Sequence, residues 1–290
     1  MKLAVVVPSL GRRDMVGRLV TRLECQHRPP DEVVISAPDE THVGVFSAGR
    51  FPVSLVFGPK GLCAQRNSAL ARTLDRFDVV TFFDDDFVPA DSYLQRVVEA
   101  FDQHDDWAVV MGEVVKDGAR TDGLDWAMGL EALRLAELER PPPLRLIDHV
   151  GAYGCNMSIR SRMVGSLRFD ERLPLYGWQE DIDFTSQLRR RGRVVSLSTI
   201  RGVHLGLKTG RVSGKRFGYS QVANPVYLIR KGTVPASFAL PLMARNIAAN
   251  IIRSVWSEPY VDRRGRLRGN LLALRHLLDG RVEPEHILEI

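Results

Sequence analysis

Hydrophobic positions in the first two thirds of the chain follow two spacings in turn. Short uninterrupted apolar runs are typical of buried strands, and apolar residues three and four apart are typical of one face of a helix. Strands are predicted at 3–7, 32–36, 53–57, 78–83, 109–115, 194–197 and at the end of 151–160, and helices at 15–23, 62–74, 94–101, 124–138 and 181–191. This βαβ order predicts an α/β fold with a mostly parallel, doubly wound sheet, whose ligands bind outside the carboxyl ends of the strands.

The remainder of the chain has a different pattern. The prolines at 141–143 are expected to end the helix before them, and from residue 213 the sequence predicts mainly helices and connectors. The chain is therefore expected to comprise a catalytic domain at 1–212 and a basic, mainly helical C-terminal extension at 213–290, packed on or beside it.

Charge is divided unevenly between these parts. Residues 1–188 contain 21 Lys+Arg against 29 Asp+Glu, and residues 189–290 contain 19 against 6, net +13. A basic block of this size attracts phosphate groups, such as those of a nucleotide diphosphate or of anionic lipids. The chain lacks zinc-finger spacing and an RRM-like signature, so a nucleic-acid partner is not expected. The arginines at 189–193 also fit a solvated helix end.

Compartment is indicated by cysteine usage and apolar run length. The three cysteines form no CxxC pattern, the apolar start runs directly into Pro8, and no apolar run reaches 18 residues. These features favour a cytoplasmic protein.

Three consecutive aspartates follow the apolar run 79–83. On an extended backbone, Asp84 and Asp86 point the same way while Asp85 faces elsewhere. Two carboxylates about 4 Å apart repel by roughly 4 kcal/mol at an effective dielectric near 20, so a divalent cation explains the pair better than bare charge. All-oxygen ligation favours Mg²⁺ or Mn²⁺. The alternative is a solvated acidic turn.

A second acidic cluster, Glu180, Asp181 and Asp183, opens a predicted helix and is separated from Trp178 by Gln179 alone. Acids in a first turn stabilise the helix dipole, which is the structural explanation. The indole ring also suits the wall of a sugar or lipid site, and a carboxylate beside it could act as a general base. His204 is either a packing residue or a further metal ligand.

Taken in chain order, four motifs resemble those of the family 2 glycosyltransferases, which have the A-type nucleotide-diphospho-sugar (GT-A) fold. The matching stretches, over roughly residues 1–210, are 5–12 (VVVPSLGR), 61–67 (GLCAQRN, with Gln65 inserted), 82–86 (FFDDD), and 169–171 (FDE) with 178–184 (WQEDIDF).

The resemblance implies a role for each matched position. The metal ligands would be Asp86, Asp84 and the late histidine His204. Asp181 would be the catalytic base, aided by Glu180, with Trp178 and Asp183 at the acceptor. Donor-binding positions would be Pro8, Ser9, Arg12, Asp39, Arg66, Asn67, Asp84 and Asp85. The second strand departs from the family pattern, because its acid is delayed to Asp39.

The sequence is therefore interpreted as a metal-dependent inverting glycosyltransferase of the hexosyltransferase type. It would move a sugar from a nucleotide-diphosphate donor to a hydroxyl of a glycan or lipid-linked glycan, as in surface or exopolysaccharide synthesis. Helix-like apolar spacing at 238–256 beside arginines suggests contact with an anionic membrane surface, on its inner face, or a helix docked on the core. Two alternatives are a nucleotidyltransferase that makes an activated sugar and a non-catalytic nucleotide-binding scaffold.

Overall fold

A computed structural model describes residues 1–139, 144–209, 212–256 and 258–290. The strands are β1 (Leu3–Pro8), β2 (Glu32–Ala37), β3 (Val53–Phe57), β4 (Val79–Phe83), β5 (Phe87–Pro89), β6 (Trp107–Asp117), β7 (Leu146–Asp148), β8 (Asn156–Arg160) and β9 (Arg193–His204). The helices are α1 (Arg13–Glu24), α2 (Leu62–Thr73), α3 (Tyr93–Gln103), α4 (Trp126–Leu138), α5 (Glu180–Leu188), α6 (Gly214–Lys231), α7 (Ala236–Arg253) and α8 (Arg263–Leu278). The proline stop at 141–143 lies outside the described residues.

One sheet contains all nine strands of the described residues, in the order β3-β2-β1-β4-β8-β6-β9-β5, with β7 paired to β9. The first four are parallel, β8 is antiparallel to both its neighbours, and β6 is parallel to β9. This confirms the α/β class and makes the sheet mixed beyond β4. Strands β5 and β7 were not predicted, because each has only three residues.

Alternating side chains along β1 enter two cores. Leu3, Val5 and Val7 pack on one face of the sheet with α1 and α3, while Val6 packs on the other with α2 and α5. Helices on both faces bury both sides of the strand, which explains its unbroken apolar run. Because β1 and β4 are parallel neighbours, their carboxyl ends lie side by side at the same end of the sheet.

The C-terminal helices are joined by close backbone contact. A Cβ at Gly218 on α6 would meet the Arg266 carbonyl oxygen on α8 at 2.0 Å, and one at Gly269 would meet that of Lys215 at 2.0 Å. Asn250 on α7 donates to Gln221 and to Asn270, so a buried polar network joins all three helices. None of the described helices combines the length and apolar composition of a membrane span.

Candidate active site

The aspartates that follow β4 divide as the strand geometry predicts. Asp84 and Asp86 each place a carboxylate oxygen near a ring nitrogen of His204, with all three atoms within 4.8 Å of one another. Asp85 turns towards Arg12, whose Nη1 lies 2.8 Å from its Oδ1. Two carboxylates and one imidazole form a donor set suited to Mn²⁺ or Mg²⁺, so this cluster could hold a divalent cation.

His204 reaches this cluster from the last position of β9, a strand seven residues longer at its end than predicted. Its Nε2 lies 3.6 Å from Asp86 Oδ1, and its Nδ1 donates to Asp117 Oδ1 at 2.9 Å. Burial alone would lower the pKa of His204, but its hydrogen bonds to Asp117 and Asp86 raise it to about 10. A carboxylate on the far nitrogen orients the ring as in many metal sites.

Asp86 is surrounded by groups that stabilise its charge. Its Oδ2 accepts from the Leu207 N–H at 2.9 Å and lies 2.9 Å from Arg12 Nη1. Burial raises the pKa of Asp86, yet His204 and Arg12 outweigh it and hold that pKa well below its usual range. Asp86 is therefore an ionised carboxylate even though it is 2% exposed.

A cavity of about 500 Å³ opens beside the aspartates at the carboxyl ends of the strands. Of the predicted donor-binding residues, it is lined by Pro8, Ser9, Arg12, Asp84 and Asp85. Further lining residues were not predicted from the sequence: His42, Lys60, Gln65, Tyr176, Ser213 and Arg216. Because Ser213 and Arg216 begin α6, the C-terminal extension contributes to this cavity. Arg12, Lys60 and Arg216 place three positive charges around the cavity, which suits the binding of a diphosphate.

Three predicted donor-binding residues do not line this cavity. Asp39 is exposed and caps a turn by accepting from Thr41 N–H at 2.9 Å. Asn67 is tied to the segment before α5, where it donates to the Phe169 carbonyl and accepts from the Phe169 N–H. Arg66 is completely buried.

Arg66 links the aspartates to the second acidic cluster. Its Nη1 donates to Glu180 Oε1 at 2.5 Å, and its Nη2 donates to Asp84 Oδ1 at 3.1 Å and to the Gly154 carbonyl at 2.9 Å. The guanidinium lies over the Phe82 and Phe169 rings. This buried bridge connects the end of β4 to the start of α5.

Asp181 lies in the first turn of α5, next to that bridge. Its Oδ2 accepts from Gly154 N–H at 2.7 Å and its Oδ1 from Ile182 N–H at 2.8 Å. Burial raises its pKa, and Arg66 and these hydrogen bonds offset the rise only in part. A raised pKa makes a carboxylate a stronger base.

The predicted acceptor-binding residues lie on different sides of α5. Trp178 is half-buried and its ring packs edge-on against Phe217 of α6. Asp183 is 0% exposed and is held by Lys231 at 2.6 Å and Thr233 at 2.5 Å, so its carboxylate ties α5 to the end of α6 and is saturated by protein partners. A contact between Asp183 and the acceptor stays a prediction.

A larger cavity, of about 620 Å³, lies near the other end of α5 beside Arg189 and Arg190. It contains none of the predicted site residues. The acidic residues and the cation-lined cavity therefore identify the candidate active site, although the cavity beside Arg189 and Arg190 has the larger volume.

Comparison with solved structures shows the fold. Residues 1–349 of S. aureus TarS match with a TM-score of 0.56 and 15% identity, covering 97% of this chain and 82% of that one. The mannosyltransferase PcManGT from Pyrobaculum calidifontis, in complex with GDP-Man and Mn²⁺, matches with a TM-score of 0.53 and 16% identity over 99% and 85%. Against a longer TarS structure the chain spans 39% of the length.

Comparison with curated proteins returned no match. The family model described as "Glycosyl transferase family 2" matches residues 4–166, which include all but the first residue of β1, the aspartates after β4 and strand β8. Because this match covers more than half of the chain, and the fold agrees, the protein belongs to glycosyl transferase family 2.

Proposed function

We propose that this protein is a metal-dependent inverting glycosyltransferase that moves a hexose from a nucleotide-diphosphate donor to a hydroxyl acceptor. The observation that carries the proposal is the link through Arg66 between the Asp84–Asp86–His204 cluster and the α5 acids Glu180 and Asp181. Donors of this kind, UDP-GlcNAc and GDP-Man, occur in structures of TarS and PcManGT.

The donor diphosphate would bind in the cation-lined cavity. Arg12, Lys60 and Arg216 would pair with its phosphate oxygens. Asp84, Asp86 and His204 would hold the divalent cation, Mn²⁺ or Mg²⁺, which supplies stabilisation of charge on the leaving diphosphate. Pro8, Ser9 and Asp85 would shape the wall against which the nucleotide lies.

Asp181 would then act as the general base. It accepts the proton of the acceptor hydroxyl as the acceptor oxygen forms a bond to the anomeric carbon, and the bond from that carbon to the diphosphate oxygen breaks. The nucleoside diphosphate leaves, and attack from the opposite side inverts the anomeric configuration. Glu180 is positioned by Arg66, and Trp178 would provide an apolar wall for the acceptor.

Binding and pH dependence test this proposal. Calorimetry with UDP, GDP and dTDP sugars should detect a donor that binds in the presence of Mn²⁺. That binding should disappear when EDTA removes the metal. Asp86→Ala should abolish the metal-dependent part of donor binding. Substitution of Asp102, an exposed aspartate on α3, by alanine should leave it unchanged. Donor binding that does not depend on the metal, or the absence of donor binding, would contradict the proposal. Slow metal-dependent hydrolysis of the donor would exclude a non-catalytic scaffold.

Asp181→Asn should keep donor binding but slow transfer by about 10²- to 10⁴-fold. Transfer by the wild type should increase as pH rises through the raised pKa of Asp181, because only the ionised carboxylate accepts a proton. The Asn variant should lose that limb of the profile. A variant with near wild-type turnover would restrict Asp181 to a helix-capping role.

We further propose that the acceptor is lipid-linked and that α7 lies on an anionic leaflet. Only Ala239 and Asn250 of α7 are buried, and its outward side chains are mainly apolar: Leu240, Ile251 and Ile252, continued beyond the helix by Val255 and Trp256. Neither α7 nor α8 contains an acidic residue, and Arg264 and Arg268 are exposed on α8. An apolar stripe on a pair of helices that carry arginines and no acidic side chain matches the cytoplasmic leaflet, which is anionic.

Sedimentation with phosphatidylserine-containing vesicles tests this docking. Binding should weaken with salt and after charge reversal of Arg264 and Arg268, since each surface cation contributes about 1 kcal/mol. Reversal of Arg18 and Arg96, exposed on α1 and α3, is the matched control. If the wild type does not sediment even at low salt, the docking proposal is wrong and a soluble acceptor is favoured.

A further inference from the structure

Tyr153, in the segment between β7 and β8, has an accessible aromatic ring beside the candidate metal ligands. The residue is 40% exposed. Its hydroxyl donates to Asp117 Oδ2 at 3.2 Å and lies 3.1 Å from His204 Nδ1. The ring stands edge-on to the His204 imidazole, with 5.7 Å between the two centroids. The hydroxyl is therefore committed to protein partners, and the ring is the part of Tyr153 that a ligand can contact.

The main chain of Tyr153 lies next to the candidate base. The following residue, Gly154, donates its N–H to Asp181 Oδ2 at 2.7 Å, and its carbonyl accepts from the buried Arg66 at 2.9 Å. One peptide unit separates the Gly154 nitrogen from Tyr153 Cα, so that Cα lies within about 5 Å of the Asp181 carboxylate. Tyr153 therefore extends from the candidate base to His204.

This position is distinct from the donor cavity. That cavity is lined by Asp84 and Tyr176 among others, and Tyr153 is not one of its lining residues. In the proposed reaction the acceptor oxygen gives its proton to Asp181, and the diphosphate leaves towards the cation that His204 helps to hold. A residue that extends between these two groups, outside the donor cavity, lies where the acceptor must bind.

The chemistry of the exposed ring indicates which part of an acceptor it contacts. One face of a hexose ring consists largely of C–H groups, while its hydroxyls lie around the edge. Such a face packs well on an aromatic ring, and a side chain fixed by its own hydrogen bonds loses little conformational freedom on binding. Tyr153 is fixed in this way by Asp117 and His204. Trp178, also close to the base, already packs against Phe217.

We propose that Tyr153 stacks against a sugar ring of the acceptor and so holds the acceptor hydroxyl at Asp181. The inference rests on the proposed glycosyltransferase function and deepens it, because it makes the acceptor a glycan or a glycolipid. A lipid phosphate without a sugar would offer no ring face to Tyr153.

Two variants separate the ring from the hydroxyl. Tyr153→Phe keeps the ring and Tyr153→Leu removes it, while both lose the contacts with Asp117 and His204. The acceptor probes are octyl glycosides of glucose, galactose, mannose and N-acetylglucosamine, used with the nucleotide sugar that binds the wild type. Compared with Tyr153→Phe, Tyr153→Leu should raise the KM for the octyl glycoside about 10-fold and shift turnover from transfer towards hydrolysis of the donor, as expected for the loss of one aromatic contact.

Two controls separate this effect from a change at the metal. Calorimetry should give the same Mn²⁺ affinity for both Tyr153 variants, because each lacks the hydroxyl that contacts Asp117 and His204. Phe57 is an aromatic residue of similar exposure, 45%, on the edge strand β3. Phe57→Leu should therefore leave the KM for the octyl glycoside at the wild-type value.

Four outcomes would count against these assignments. An equal KM for Tyr153→Phe and Tyr153→Leu would overturn the inference, as would weaker Mn²⁺ binding by the leucine variant than by the phenylalanine variant. It would also be overturned if the wild type hydrolyses the donor but transfers sugar only to farnesyl phosphate, or to none of the octyl glycosides. If the wild type neither binds nor hydrolyses a nucleotide sugar with Mn²⁺, it is the proposed function that fails.

Discussion

Arg66→Met tests the buried bridge between β4 and α5. Arg66 is 0% exposed and its principal partner, Glu180, is 4% exposed, so the substitution leaves a carboxylate in the interior without its cation. Breaking a buried pair in this way costs about 3–5 kcal/mol. The contact with Asp84, which is 26% exposed, adds about 0–1 kcal/mol. Methionine retains most of the volume, so the cavity contribution is small.

Urea unfolding followed by circular dichroism measures this loss. The midpoint should fall with an unchanged slope, and the double variant Arg66→Met with Glu180→Gln should recover at least about 2 kcal/mol, because position 180 no longer carries an unpaired buried charge. Burial already raises the pKa of Glu180 well above its usual value, and removal of Arg66 raises it further. The folded single variant then binds a proton more tightly than the unfolded chain, so its deficit should shrink as pH falls.

Arg134→Met is the matched control, since that arginine and its partner Glu131 are 58% and 54% exposed, and such a surface pair contributes little to stability. The reasoning is refuted if Arg66→Met is no more destabilising than this control. It is also refuted if the double variant is no more stable than the single one.

Three further outcomes are expected elsewhere in the molecule. Asp117→Asn should weaken Mn²⁺ affinity about 10- to 100-fold by calorimetry, since Asp117 orients His204; unchanged affinity would mean that the contact is only structural. Lys231→Met should lower the free energy of unfolding by about 2–4 kcal/mol in urea, because Asp183 is completely buried; a loss below about 1 kcal/mol would show that Asp183 has other compensation. Gly269→Ala should lower the melting temperature, because the methyl group would meet an α6 carbonyl oxygen at 2.0 Å; a stabilised variant would contradict the close helix contact.

Much of the fold could be predicted from local pattern. The buried strand β1 is an unbroken apolar run and β4 is interrupted only by Thr81, because helices cover both faces of the sheet. Apolar residues of α1 and α3 recur at helical spacing. The exposed strand β7 and the short strand β5 lack such patterns, since neither forms a long buried face. The extension of β9 to His204 depends on pairing with β5 and β6.

The residues of the candidate site also fall into those that the sequence predicted and those that only the structure brought together. The sequence by itself determined the Asp84 and Asp86 pair, because alternation along a strand fixes which side chains share a face. It also marked Glu180, Asp181 and Asp183, but it could not say which would face the site. Residues two apart on a helix are separated by about 200°, so Asp181 lies beside Arg66 and Gly154 while Asp183 lies against Lys231.

Only the tertiary structure decided which distant residues complete the site. His204 meets Asp86 because β9 pairs with β5, and Arg66 meets Glu180 across 114 residues. Arg216 reaches the cation-lined cavity because the start of α6 packs against Tyr176 and Trp178. These contacts are set by strand order and helix packing, which depend on the whole chain at once. Local periodicity records which face of an element is buried, and it carries no information about the element that will cover it.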